Sequence, residues 1–136
     1  MRYFTDFYWI YNKNDFSITS CFYVGNQKKI ELDSTDSDNI WWQVNFITGY
    51  SISSKVSLSG RLEYFTDDKN VFVQSITSES GFKTFSGGMC MNLKLNENAI
   101  FRLEGRHFIS GENVFMDRNT NNSNQMTWFV SNLTLW

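Results

Sequence analysis

Apolar and polar residues alternate along most of this chain in segments about ten residues long, the period-two signature of strands whose two faces meet different surroundings. Seven segments carry the pattern, approximately residues 2–11, 16–26, 40–52, 55–66, 82–95, 98–109 and 126–136. In the fourth, Val56, Leu58, Gly60, Leu62 and Tyr64 fall on one side, and Ser57, Ser59, Arg61, Glu63 and Phe65 on the other. The sixth sets Ala99, Phe101, Leu103, Gly105 and His107 against Arg102, Glu104 and Arg106. The fifth sets Phe85, Met89, Met91, Leu93 and Leu95 against Ser86, Gly88, Cys90, Asn92 and Lys94. The third sets Trp42, Val44, Phe46, Tyr50 and Ile52 against Gln43, Asn45, Gly49 and Ser51. One face is oily; the other is polar or charged.

The connections alternate in length. Short turns rich in Asn, Ser and Lys fall at 12–14, 53–54 and 96–98, and long polar stretches occupy 27–39, 67–81 and 110–125. Tight hairpins account for the first set. A transmembrane barrel alternates in this way because its periplasmic turns are tight and its outer loops extended. The chain therefore reads as all-β, an antiparallel up-and-down meander of about seven strands forming part of an outer-membrane β-barrel.

A soluble closed barrel turns its apolar face inward around a core, whereas a membrane barrel turns it toward lipid and lines an aqueous bore with the polar face. Three features point to lipid. Ten or eleven residues at about 3.3 Å each, tilted near 45°, give roughly 25 Å of height, the thickness of the apolar band. Aromatics crowd the strand ends, with Trp9, Trp42, Tyr50, Tyr64, Trp128 and Trp136 read as membrane-interface girdle residues. The chain also ends on Trp136, and a terminal strand closing on an aromatic resembles the signal by which outer-membrane insertion machinery recognises its clients. On this orientation Val44, Phe46, Val56, Leu58, Leu62, Met89, Met91, Leu93, Phe101 and Leu103 face lipid, while Arg61, Glu63, Lys94, Arg102, Glu104 and Arg106 line the pore.

Composition narrows the choice further. The 136 residues include 18% aromatics and no proline, with formal charge −2. No surplus of Lys and Arg exists to neutralise phosphates, so nucleic acid is not the expected partner. No apolar run reaches the roughly 18 residues that a spanning helix needs. The first residues lack the basic, apolar and small-residue regions of a signal peptide, so Met1 reads as a mature or an internal start. Cys21 and Cys90 are too few for a disulfide framework, sit on non-neighbouring strands, and read as free thiols. No cofactor or metal is expected. Asp33, Asp36 and Asp38 lack the spacing and glycine of an EF-hand loop and read as a solvated tract. The acceptor-like triplets at 121–123 and 132–134 are too short to mean anything alone.

An internal echo links two of the long connections. Phe65-Thr-Asp-Asp-Lys-Asn-Val-Phe72 matches Phe108-Ile-Ser-Gly-Glu-Asn-Val-Phe115, each copy ending a strand and opening a loop. Upstream lie Arg61-x-Glu63 and Glu104-x-Arg106, so equivalent charges recur with their signs exchanged. Such a ladder can set the field that ions cross in a narrow lumen. Mutual pairing is the blander role, because alternating signs on nearby strands cancel more field than they create. The lone His107 falls on the opposite face from Glu104, and no Gly-x-Ser-x-Gly elbow or Ser, His, Asp set appears, so no enzyme is expected.

The segments Ser59-Gly-Arg-Leu-Glu-Tyr-Phe-Thr-Asp-Asp68 and Phe101-Arg-Leu-Glu-Gly-Arg-His-Phe108, with the closing strand, resemble the C-terminal part of the OmpL-like β-barrel porins. That resemblance implies a many-stranded bacterial outer-membrane barrel that passes small solutes passively, with the Arg and Glu positions on its inner wall. With short turns in the periplasm, the seventh strand descends, and so does the first. Single-chain bacterial barrels have even strand numbers. The single domain over residues 1–136 is therefore expected to be the C-terminal portion of a larger barrel, completed by upstream strands or by another chain. Two other functions fit parts of the pattern: a soluble lipocalin-like or fatty-acid-binding-like barrel around a small apolar ligand, and an outer-membrane barrel that anchors or adheres without conducting.

Overall fold

The computed structural model describes residues 1–29, 37–73, 81–116 and 122–136. Its strands are β1 (Arg2–Lys13), β2 (Phe16–Lys29), β3 (Ser37–Ser51), β4 (Val56–Asp67), β5 (Phe82–Asn96), β6 (Ala99–Ile109), β7 (Phe115–Met116), β8 (Asn122–Ser123) and β9 (Gln125–Leu135). Seven long strands form one sheet in the order β1-β2-β3-β4-β5-β6-β9, and β7 pairs with β8 in a small hairpin inside the last long connection. Every neighbouring pair is antiparallel. The expected all-β meander is thus present, as an open sheet with β1 and β9 at its edges.

The short turns owe their geometry to particular residues. Asn14 has φ 52°, the left-handed conformation that asparagine tolerates, and lets Lys13 pair with Phe16 across a two-residue loop. In the β3–β4 turn the Ser53 hydroxyl accepts N–H bonds from Lys55 (3.3 Å) and Val56 (3.1 Å). At the β5–β6 turn the ladder shifts between Lys94 and Asn96, so Leu95 sits in an irregularity and loses the strict alternation expected of it.

The strands also run further than alternation suggests. β2 and β3 continue pairing as far as Lys29 and Ser37, inside what reads as loop in the sequence. Backbone ladders need only paired N–H and C=O groups, and alternation marks only where the two faces differ in surroundings. Strands of 14 and 15 residues therefore reach beyond the ten or eleven that alternation marks.

Register settles which residues share a face. All ten apolar positions from Val44 to Leu103 expected at the lipid lie on one side, and all six charged positions lie on the other. The two sides are packed differently. Large side chains splay on the apolar face, where Met89 is 68% exposed and Phe129 76%. On the charged face Ser86, Thr84 and Phe65 are buried. Crowding on one side and splaying on the other is what a sheet curved toward its charged face produces. Both cysteines are free thiols on β2 and β5.

At the long-connection end the charged face carries an aromatic cluster rather than more charge. Trp41, 3% exposed, lies flat across β2, and a Cβ at Gly25 would meet its Cζ2 at 2.1 Å. Phe4 stacks on it from β1 at 5.7 Å. Gly25→Val should evict the indole and lower stability by about 1–3 kcal/mol. Unfolding of the refolded protein, followed by the tryptophan emission maximum, measures this.

Candidate functional site

Among the described residues, a set of ionisable groups lies on the charged face where β4, β5 and β6 run side by side. Arg61 opposes Gly88, and Gly88 opposes Arg106. Glu63 opposes Ser86, which opposes Phe108. Two residues of β5 without long side chains therefore separate the charges of β4 from those of β6. A Cβ at Gly88 would meet Arg106 Cγ at 2.7 Å, so the absence of a side chain there lets the arginine lie down across the middle strand.

Arg106 reaches Glu63 by this route. Its Nη2 lies 2.9 Å from Glu63 Oε1 and donates to Ser86 Oγ at 3.1 Å. The guanidinium also sits 4.8 Å from the Phe108 ring centroid and 5.9 Å from that of Trp128. A planar cation held by a carboxylate, a hydroxyl and two aromatic rings is fixed in orientation, because each contact uses a different part of the group. The side chains of Arg106 and Glu63 are 13% and 16% exposed, so the pair is largely withdrawn from water. Arg61 Nη1 stands 4.0 Å from the other Glu63 oxygen.

The remaining wall charges behave differently. Arg102 Nε donates to Asn92 Oδ1 at 2.7 Å, and Asn92 Nδ2 donates onward to Ser57 Oγ at 3.3 Å. Among the described residues Glu104 and Lys94 make no ion pair. The expected ladder thus divides into a locked centre, Glu63 with Arg106, and a solvated margin of Arg61, Arg102, Lys94 and Glu104. Mutual pairing is tight at the centre, loose for Arg61 at 4.0 Å from Glu63, and absent for Lys94 and Glu104 among the described residues.

The aromatic positions divide as well. Trp9, Trp42, Tyr50 and Tyr64 stand on the apolar face, and Trp42 packs against Tyr64 at 5.4 Å. Trp128 corrects the expectation. It opposes Arg106 on the charged face and stacks on Phe108 at 6.3 Å, so it braces the guanidinium and does not share the apolar face of the other four. Its parity with Asn132 and Thr134 in β9 is the sequence signal that identifies the face. Trp136 follows the last residue of β9, exposed, with its N–H bonded to the Asn98 carbonyl at 3.2 Å.

His107 lies on the apolar face, its Nδ1 2.7 Å from Thr127 Oγ1, away from Glu104. Beyond the end of β4, the Asp68 carboxyl is held below the usual carboxylate range, first by the Thr66 hydroxyl (2.8 Å) and then by Lys83 (3.1 Å). Asp33 and Asp36 lie outside the described residues, and among the described residues no three metal-ligating side chains gather.

Phe65, Asp67, Phe72 and Phe115 also stand at the long-connection end of this face, and reading the loops as solvated missed them. No curated protein and no solved structure matches the chain. The family described as "Putative beta-barrel porin-2, OmpL-like" matches residues 1–134, essentially the whole chain. The chain belongs to that OmpL-like β-barrel porin family.

Proposed function

We propose that this chain forms part of the wall of a water-filled pore in the bacterial outer membrane, through which small solutes or ions pass passively and without a catalytic step. The observation that carries the reading is the segregation of faces: ten apolar positions on one side of the sheet, six charged positions on the other. A soluble carrier would fold its oily side chains around a ligand. Here Val44, Phe46, Leu62, Met89 and Leu103 are exposed and none of the ten is buried, as an acyl-chain environment requires. The four girdle aromatics on that face fit the two interfaces of the band.

On this reading the short turns face the periplasm, and β9 with Trp136 engages the insertion machinery. The edge strands β1 and β9 then run in the same direction, since an odd number of antiparallel strands separates like from like. Antiparallel closure of the barrel takes an odd number of further strands, from an upstream region or a partner chain. Closing β1 directly on β9 would instead make a parallel seam.

The solvated wall charges give the test. With Glu63 and Arg106 neutralising each other, Arg61, Arg102 and Lys94 outnumber Glu104, so this sector favours anions. In the complete protein reconstituted into planar bilayers, Arg61→Glu with Arg102→Glu should lower the chloride-to-potassium permeability ratio by roughly twofold or more. Reversal potentials in a KCl gradient measure it. An unchanged ratio removes these arginines from the bore, and a reconstituted protein that passes neither ions nor small sugars ends the pore reading.

A further inference from the structure

The two repeat copies found in the sequence do the same thing in space. Each begins with a phenylalanine at the end of a strand and returns a second phenylalanine onto the first. The Phe65 and Phe72 centroids are 6.3 Å apart at 50°, and those of Phe108 and Phe115 are 6.2 Å apart at 57°. All four rings belong to the charged face or rest against it. Phe72 also stacks on Trp41 at 4.5 Å, and Phe115 meets the edge of Phe82 at 6.4 Å.

In the first copy the return is clamped. Asp67, 0% exposed, accepts N–H bonds from Val71 (3.0 Å) on one carboxylate oxygen and from Phe72 (2.7 Å) and Val73 (2.9 Å) on the other. Asn70, with φ 52°, makes the reversal possible. A loop free in water has no physical reason to bury a carboxylate. Three charge-assisted bonds to consecutive amides fix the backbone of 71–73 against the wall. In the second copy Ser110 occupies the place of Asp67, donating to the Lys83 carbonyl at 2.6 Å and accepting from the Glu112 N–H at 3.3 Å.

These contacts point inward, over the face that the proposed function assigns to the bore. We infer that the two returning segments are a fixed constriction at the long-connection end of the pore, and that Phe72 and Phe115 set the size of the largest solute admitted. The inference rests on the pore reading and deepens it. Phe72 remains about half exposed after stacking, with the Arg2 guanidinium 5.6 Å from its ring centroid, so its outer surface is available to narrow the passage.

The test compares the complete wild-type protein with Phe72→Ala combined with Phe115→Ala, and with Asp67→Asn, in planar bilayers and in vesicles loaded for polyethylene glycol exclusion. Met89→Leu, on the apolar face, is the control. Heat-modifiable mobility on gels confirms that each variant is folded. Trimming the two rings should raise single-channel conductance roughly twofold and admit larger polymers. Asp67→Asn, which weakens the clamp but keeps its shape, should add open-channel noise. A wild type that conducts with a double variant indistinguishable from it overturns the constriction and leaves the pore standing. A silent wild type made conductive by the double variant supports a constriction tight enough to close the bore. Silence in both overturns the constriction and the pore together.

Discussion

Leu62→Arg is expected to destabilise the membrane-folded protein by about 2–4 kcal/mol, the penalty for a guanidinium near the bilayer midplane on the lipid side of a barrel strand. Leu62 lies midway along β4 on the apolar face and is exposed in the sheet, so nothing within the protein opposes a longer, charged side chain there. The penalty would arise from lipid alone. Ser59→Arg, three residues earlier on the charged face, is expected to stay within about 0.5 kcal/mol, since a solvated wall accepts another arginine. Equilibrium unfolding of the complete protein from lipid vesicles measures both. Equal effects, or a larger one at position 59, would reverse the assignment of the faces.

Arg106→Met is expected to lower stability by about 2–3 kcal/mol, mostly because it strands a carboxylate. Glu63, at 16% exposure, would keep only Arg61 at 4.0 Å, and the rings of Phe108 and Trp128 would lose the cation between them. The value falls short of a fully buried pair because both side chains keep some exposure to solvent, which screens this one. Glu63→Gln relieves the stranded charge, so the double variant should be milder than the sum of the two single ones, with a coupling of about 1–2 kcal/mol. The same unfolding measurement on all four proteins gives the cycle. A coupling near zero would reduce the pair to a geometric coincidence.

Much of the fold was legible because alternation reports a difference between two faces, and here the difference is large. Val56, Leu58 and Leu62 against Arg61 and Glu63 needs no coordinates to interpret. The sign exchange between repeats also held a usable message. Glu63 and Arg106 occupy equivalent places in successive hairpins, two strands apart, and Gly88 removes the obstacle between them. Trp128 departs from the expectation because residue type marks an aromatic at a strand end, whereas parity with Asn132 and Thr134 decides its face.

Asp67 was illegible for a different reason. An aspartate in an acidic, Asn-bearing connection reads as solvated, and nothing local distinguishes one whose oxygens are consumed by amides four to six residues on. The repeat announced that two connections were alike without revealing that both turn inward. Where strands end was equally hidden, since Lys29 and Ser37 pair through backbone groups that side-chain alternation does not report.

In the proposed pore, the glycines under Trp41 and Arg106 bear on the size of the aperture. Gly25 and Gly88 let the bulkiest ring and the longest cation recline across neighbouring strands instead of jutting from the sheet. Cross-sectional breadth is then left to the tally of staves around the ring and to whatever the connections lay across the mouth. A valine at either glycine would stand its neighbour upright and trade open area for obstruction.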